Sequence, residues 1–143
     1  MQVTEILIQI AECKGLTPCE RDVIASLLSG PYVSRQNPIS IAKMQIIWRT
    51  TTPRRYHHER KVREAVKHLV EHHGVPIGSA HTRRAGFFLM VSEEDIAATE
   101  AHLLKGTLSM LRRLRAINPK SDISRRLCGQ LEIKEGNHEQ NAN

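Results

Sequence analysis

Pro53 to Gly74 reads PRRYHHERKVREAVKHLVEHHG, and Val75 to Val91 continues VPIGSAHTRRAGFFLMV. Val62, Val66, Leu69 and Val70 recur at i, i+4, i+7 and i+8, the spacing of one apolar helical face. Arg60, Lys61, Arg63, Glu64 and Lys67 occupy the remaining faces, and Gly74 stands where a helix C′ residue belongs. Val75-Pro76-Ile77 and Ala85 to Val91 then read as two strands around a turn from Gly78 to Arg84. A helix with an apolar back and a cationic front, followed by a hairpin tipped with Arg83 and Arg84, suits the groove of a polyanion.

Charge along the chain supports that reading. The 143 residues carry a formal net charge of +6, and the sequence pI of about 9.6 favours polyanionic partners. Residues 31–91 hold eleven Lys/Arg against Glu59, Glu64 and Glu71, a balance of +8, whereas residues 1–30 stand at −2 and residues 92–143 at 0. Only 3% of the residues are aromatic, so aliphatic side chains must fill the core. Cys13, Cys19 and Cys128 form no CxxC and leave an odd count, which is read as reduced thiols. No apolar run approaches about 18 residues and no signal-peptide pattern opens the chain. The expectation is a cytoplasmic, nucleoid-associated protein without a membrane partner.

Outward from the basic segment, Val3, Ile6, Leu7 and Ile10 predict a first helix over 3–13. Thr17-Pro18-Cys19-Glu20 has the form of a capping box with proline at N1. It opens a helix expected to bury Val23, Ile24, Leu27 and Leu28 and to stop before Gly30-Pro31. Residues 31–37 form a loop, and Pro38-Ile39 adds a short strand. Ser40 caps a third helix carrying Ile41, Met44, Ile47 and Trp48. Thr50 to Pro53 supplies a turn, with Thr52 a candidate cap and Pro53 a candidate N1 residue; the basic helix follows, its start expected between Arg54 and His58. Ser92 before Glu93-Glu94-Asp95 starts another helix, which Asn118-Pro119 ends after Ile117. Residues 119–143 are polar and poor in aliphatics, the composition of a disordered tail.

The order helix, strand, helix, turn, helix, strand, wing, strand resembles a winged helix–turn–helix. RKVREAVKHLVEHHGVPIGS followed by AGFFLMVSEED is similar to the recognition helix and wing of small bacterial and phage winged-helix proteins, over about residues 17–117. The Thr-rich, proline-containing turn at 50–53 departs from the glycine turn common in that family. The resemblance implies a mainly α fold with a small β-hairpin: a winged helix–turn–helix domain over 1–92, a long helix over 93–118 and the tail beyond. It implies a recognition helix in the major groove whose N-terminal side chains meet base edges. His57, His58, Arg60, Lys61 and Glu64 are then the base or near-base candidates, and Arg54, Arg55, Arg63 and Lys67 the phosphate candidates. His81, Thr82, Arg83 and Arg84 of the wing face the adjacent backbone or minor groove.

Several features also admit blander readings. His68-Leu69-Val70-Glu71-His72 matches the H-x-x-E-H string of one metalloprotease class, but no third ligand or substrate cleft is evident in the sequence. Surface histidines with at most adventitious metal binding by His68, His72 and His73 are the default, so neither metal nor cofactor is expected. Neighbouring Phe87 and Phe88 alternate across a strand, which makes core packing of one more natural than a base-stacking pair. Trp48 reads as core, and Glu20 and Asp22 as helix-start electrostatics. No nucleophile triad, P-loop or paired-carboxylate site is present, so no enzyme is expected.

A helix from Glu93 to Ile117 is roughly 37 Å long, and its aliphatic face is broad. Leu104, Leu108, Leu111 and Leu114 are the expected dimerisation residues. Gly106 weakens the helix by about 1 kcal/mol relative to Ala and is read as a bend or a close crossing. The expected function is double-stranded DNA binding by a homodimeric transcriptional regulator of phage, prophage or bacterial type. The alternatives are a phage-type DNA replication organiser, or an adaptor that docks a protein partner through the 93–117 helix.

Overall fold

The computed structural model describes residues 2–52, 56–81 and 83–140, with residues 134–140 as backbone only. Its elements in chain order are α1 (Val3–Glu12), α2 (Pro18–Leu28), α3 (Ile41–Thr51), α4 (Glu59–His73), β1 (Ile77–Ala80), β2 (Gly86–Leu89), α5 (Glu93–Ile117) and α6 (Asp122–Gln140). The chain is mainly helical with one antiparallel hairpin. It divides into two compact units, Met1–Ile96 and Ala97–Asn143, with α5 beginning in the first and continuing through the second.

Capping chemistry fixes most helix starts in the first unit. Thr17 Oγ1 accepts from the Glu20 amide at 3.2 Å while Glu20 Oε2 accepts from the Thr17 amide at 2.9 Å, which is the reciprocal box expected from the sequence. Ser40 Oγ accepts from the Lys43 amide at 3.1 Å and starts α3. The turn behaves differently from its sequence reading. Thr51 still belongs to α3, and Thr52 closes that helix by donating its amide to Trp48 O at 2.8 Å, so it does not cap α4. The N-cap of α4 is His58, and its first residue is Glu59. Pro53, Arg54 and Arg55 lie outside the described residues.

Gly74 ends α4 in the left-handed region at φ 65°, a conformation glycine adopts without a Cβ penalty. Gln9 of α1 donates to the carbonyls of His73 (3.2 Å) and Gly74 (2.7 Å), satisfying groups that the helix end leaves open.

The core of this unit gathers Ile6 of α1, Val23 and Leu27 of α2, Met44 and Trp48 of α3, Val62 and Leu69 of α4, and Phe87 and Leu89 of β2. Two expected core residues lie outside it: Leu28 is 41% exposed and Val70 39% exposed. The buried stripe of α4 is Val62, Ala65, Val66 and Leu69, rotated toward Ala65 relative to the apolar pattern, and Val70 falls on its flank.

β1 and β2 pair in the register Ile77↔Leu89 to Ala80↔Gly86. Gly78, Ser79 and Ala80 are therefore strand residues, and the turn is shorter than the expected Gly78–Arg84. The Pro38-Ile39 strand is reduced to a single bridge in which Ile39 and Phe87 exchange both backbone hydrogen bonds, at 2.8 and 2.9 Å. That bridge requires Gly86: a Cβ there would collide with the carbonyl oxygen of Ile39. Phe87 and Phe88 are both buried, the second completely, so neither ring offers a stacking face.

In the second unit α5 ends at Ile117, as Asn118-Pro119 predicts. Beyond it the expected disordered tail is corrected, because Asp122–Gln140 is helical. Ser121 Oγ accepts from the Ser124 amide at 3.3 Å at its start, Arg125 pairs with Asp122 at 3.0 Å, and Arg112 of α5 meets Glu132 of α6 at 3.3 Å. These local links supply order that composition alone does not register. Gly106 lies within continuous helix, and no described residue comes within 4 Å of where a Cβ would project, so no close crossing occurs there among the described residues. No described helix is long and apolar enough to cross a membrane.

Candidate nucleic-acid interface

The outward side of α4 carries one continuous stripe. Glu59, Arg60, Arg63, Glu64 and Lys67, at i, i+1, i+4, i+5 and i+8, line an open depression of about 520 Å³. Three i,i+4 ion pairs run along this helix: Arg63–Glu59 at 2.7 Å, Arg60–Glu64 at 3.0 Å and Lys67–Glu71 at 4.0 Å. Their side chains are more than half exposed. Such pairs contribute only about 0.3–0.5 kcal/mol each, so a phosphate or base edge can draw a guanidinium from its carboxylate at little cost. Glu59 was absent from the sequence candidates, although its position four residues before Arg63 is the signal that would have found it.

A second hollow of about 280 Å³ adjoins the start of α4 and is lined by Gln45 of α3, Glu59 and Arg63 of α4, and Ser79, His81 and Gly86 of the hairpin, among others. The turn end of the hairpin thus flanks the N-terminal end of the stripe. Arg83 and Arg84 are exposed in the turn, and Thr82 lies outside the described residues. Lys61 is also exposed but lies off the stripe. It lines a cleft of about 520 Å³ toward α2, together with Glu20, Glu64 and His68. His58 is exposed beside Tyr56, their rings 5.1 Å apart, and Arg49 of α3 stands over the Tyr56 ring at 5.5 Å.

His57 departs most from its expected role. Its side chain is 5% exposed, and its Nε2 lies 2.7 Å from Asp22 Oδ2. Its ring meets Trp48 edge to face at 5.2 Å, and its carbonyl accepts from Gln45 Nε2 at 3.2 Å. Trp48 Nε1 in turn donates to Ser26 Oγ at 2.9 Å and to Asp22 O at 3.3 Å. A base candidate is therefore corrected to a buried pin that fastens the segment before α4 to α2 and α3. Asp22 likewise is more than helix-start charge. No sequence spacing announces this network, because its links from Trp48 and His57 to α2 span 22 to 35 residues.

Glu71 of the H-x-x-E-H string pairs with Lys67, not with the histidines. Cys19 is buried and its thiol is pushed up to about 11 by desolvation, against which Lys61 acts in the lowering direction. It is a packing residue in its neutral form at ordinary pH, and all three cysteines are free thiols.

No family model, curated protein or solved structure matches this chain.

On the expected dimerisation face, Leu104 and Leu111 are half-buried and Leu114 is 47% exposed, but Leu108 is completely buried within the single chain. Leu108 is therefore corrected from an intermolecular contact to an internal one. Exposed large aliphatics of this unit are Leu103, Met110, Leu114 and Ile117 of α5 and Ile123, Leu127 and Ile133 of α6.

Proposed function

We propose that residues 1–96 are a winged helix–turn–helix unit that binds double-stranded DNA, with α4 as recognition helix and the β1–β2 hairpin as wing. The observation that carries this reading is the exposed stripe Arg60, Arg63 and Lys67, set beside a hairpin whose turn bears Arg83 and Arg84. Arg60 and Glu64 are the side chains for base edges, and Arg63, Lys67, Arg83 and Arg84 those for phosphates. The resemblance to small bacterial and phage winged-helix proteins favours transcriptional control, with organisation of DNA replication second. The exposed aliphatics of residues 97–133 fit self-association, which would present two recognition helices to paired half-sites.

A second reading rests on the carboxylates in the stripe. Glu59 and Glu64 partly neutralise the arginines they pair with, as suits an adaptor that docks a protein and leaves DNA alone. Titration of labelled random duplex against salt separates the two. DNA binding through roughly four to six phosphates gives a slope of about −0.9 per phosphate in log K against log salt. Absence of duplex binding at about 50 mM salt, where such contacts are strong, rejects the DNA reading and leaves the adaptor.

A further inference from the structure

Glu20, in the first turn of α2, meets two histidines from the last turns of α4. Glu20 Oε1 lies 2.7 Å from His68 Nδ1, and donor atoms of Glu20, His68 and His73 all fall within 4.8 Å of one another. The carboxylate is 4% exposed and is held from behind, because Oε2 is engaged by the Thr17 amide. His73 Nε2 is buried with no hydrogen-bond partner among the described residues, an unusual state for an imidazole nitrogen. The backbone at His73 is fixed as well, through the Gln9 amide on its carbonyl.

We propose that Glu20, His68 and His73 bind one late first-row transition-metal ion, zinc(II) foremost, with a fourth position left to water. Two imidazoles and one carboxylate are a borderline donor set that suits zinc and disfavours magnesium or calcium, which take oxygen ligands. Ligand bonds of about 2.0–2.2 Å in a tetrahedron put donor atoms about 3.4 Å apart. The 2.7 Å contact must therefore open and the wider spacing close. The His68 side chain, 45% exposed, has the freedom to make that move. Coordination through Nδ1 needs that nitrogen unprotonated, so a proton held there passes to solvent on binding. The ion would tie the start of α2 to the end of α4, with the cleft along Glu20, Lys61 and His68 as its route from solvent. The three ligands lie outside the outward stripe, although the cleft shares Glu64 with it, and the site stands whether or not the protein binds DNA.

The bland competitor is the exposed pair His68 and His72, whose rings are 4.3 Å apart on one helix face and which would bind metal adventitiously. Calorimetric titration of the chelator-stripped full chain with zinc(II), and visible absorption with cobalt(II), distinguish the two. The expected result is one ion per chain, a tetrahedral cobalt spectrum and a raised melting temperature. Glu20→Gln keeps an acceptor for the Thr17 amide but should weaken zinc binding by about tenfold or more, since removing a group that merely supports a ligand already weakens a site by that factor. His73→Gln should do the same, and it carries the test if Glu20→Gln does not fold. His72→Gln should leave the affinity unchanged. Absence of saturable binding, or binding abolished by His72→Gln and untouched by His73→Gln, overturns the proposal.

Discussion

His57 Nε2 stands 2.7 Å from Asp22 Oδ2 in a buried contact, tying the residue that precedes the N-cap of α4 to the middle of α2. Trp48 packs against the same histidine and donates to the Asp22 carbonyl. The segment leading into α4 is thus anchored to α2 by a buried polar contact made before the helix begins.

Removing that contact tests its role. His57→Ala should lower stability to urea by about 1–3 kcal/mol, the cost of stranding a buried hydrogen-bonding group. The duplex affinity of the folded variant should fall far less than that of Arg60→Ala. Unchanged stability together with abolished duplex binding would return His57 to the DNA surface.

Stripe and wing substitutions should separate readout from anchoring. Arg60→Ala should weaken binding to a selected duplex more than to random duplex, by about 1–3 kcal/mol if it meets a base. Arg83→Ala and Arg84→Ala should weaken both equally and make the salt slope shallower by about 0.9 for each phosphate no longer neutralised. Competition binding at several salt concentrations reads both effects. Equal weakening at Arg60 and in the wing would make the protein a non-specific binder.

Two glycines should respond with opposite signs. Gly86→Ala drives a Cβ into the carbonyl oxygen of Ile39, a backbone atom that cannot step aside without breaking the bridge to Phe87. It should cost about 1–3 kcal/mol, in the range of overpacked sites. Gly106→Ala meets open space inside α5 and should raise stability by up to about 1 kcal/mol. Thermal unfolding of the two variants beside the parent is sufficient; a stabilised Gly86→Ala would refute the close approach.

Self-association is best probed at the exposed positions. Met110→Glu with Leu114→Glu should give a folded monomer by sedimentation, with weakened duplex binding, because both side chains face solvent in the single chain. Leu108→Glu should instead unfold the chain, since it places a charge at a fully buried site. If the unmodified protein sediments as a monomer at tens of micromolar, the exposed face serves another partner.

Much of the architecture could be read locally. The box at Thr17/Glu20, the Ser92 cap on the Asp95 amide, the glycine stop at Gly74 and the proline stop after Ile117 each involve residues within a turn of one another. The cationic stripe was legible for the same reason, because helical periodicity alone decides which of Arg60, Arg63 and Lys67 share a face. Composition misled where local capping and ion pairs outweighed low hydrophobicity, as in α6, and where an apolar residue lay one position beyond the buried stripe, as at Val70.

Relations between chain neighbours were enough to set the order of four helices, a hairpin and a long helix, and the concentration of positive charge in residues 31–91, because capping, periodicity and charge are local properties. Packing in three dimensions was needed to make His57 a pin and Leu108 an internal contact. Packing likewise brought Glu20 beside His68 and His73, and hung the hairpin on Ile39. Those outcomes depend on which surfaces exclude water when helices pack, and residues far apart in the chain carry no local signal of the partner that burial will assign them.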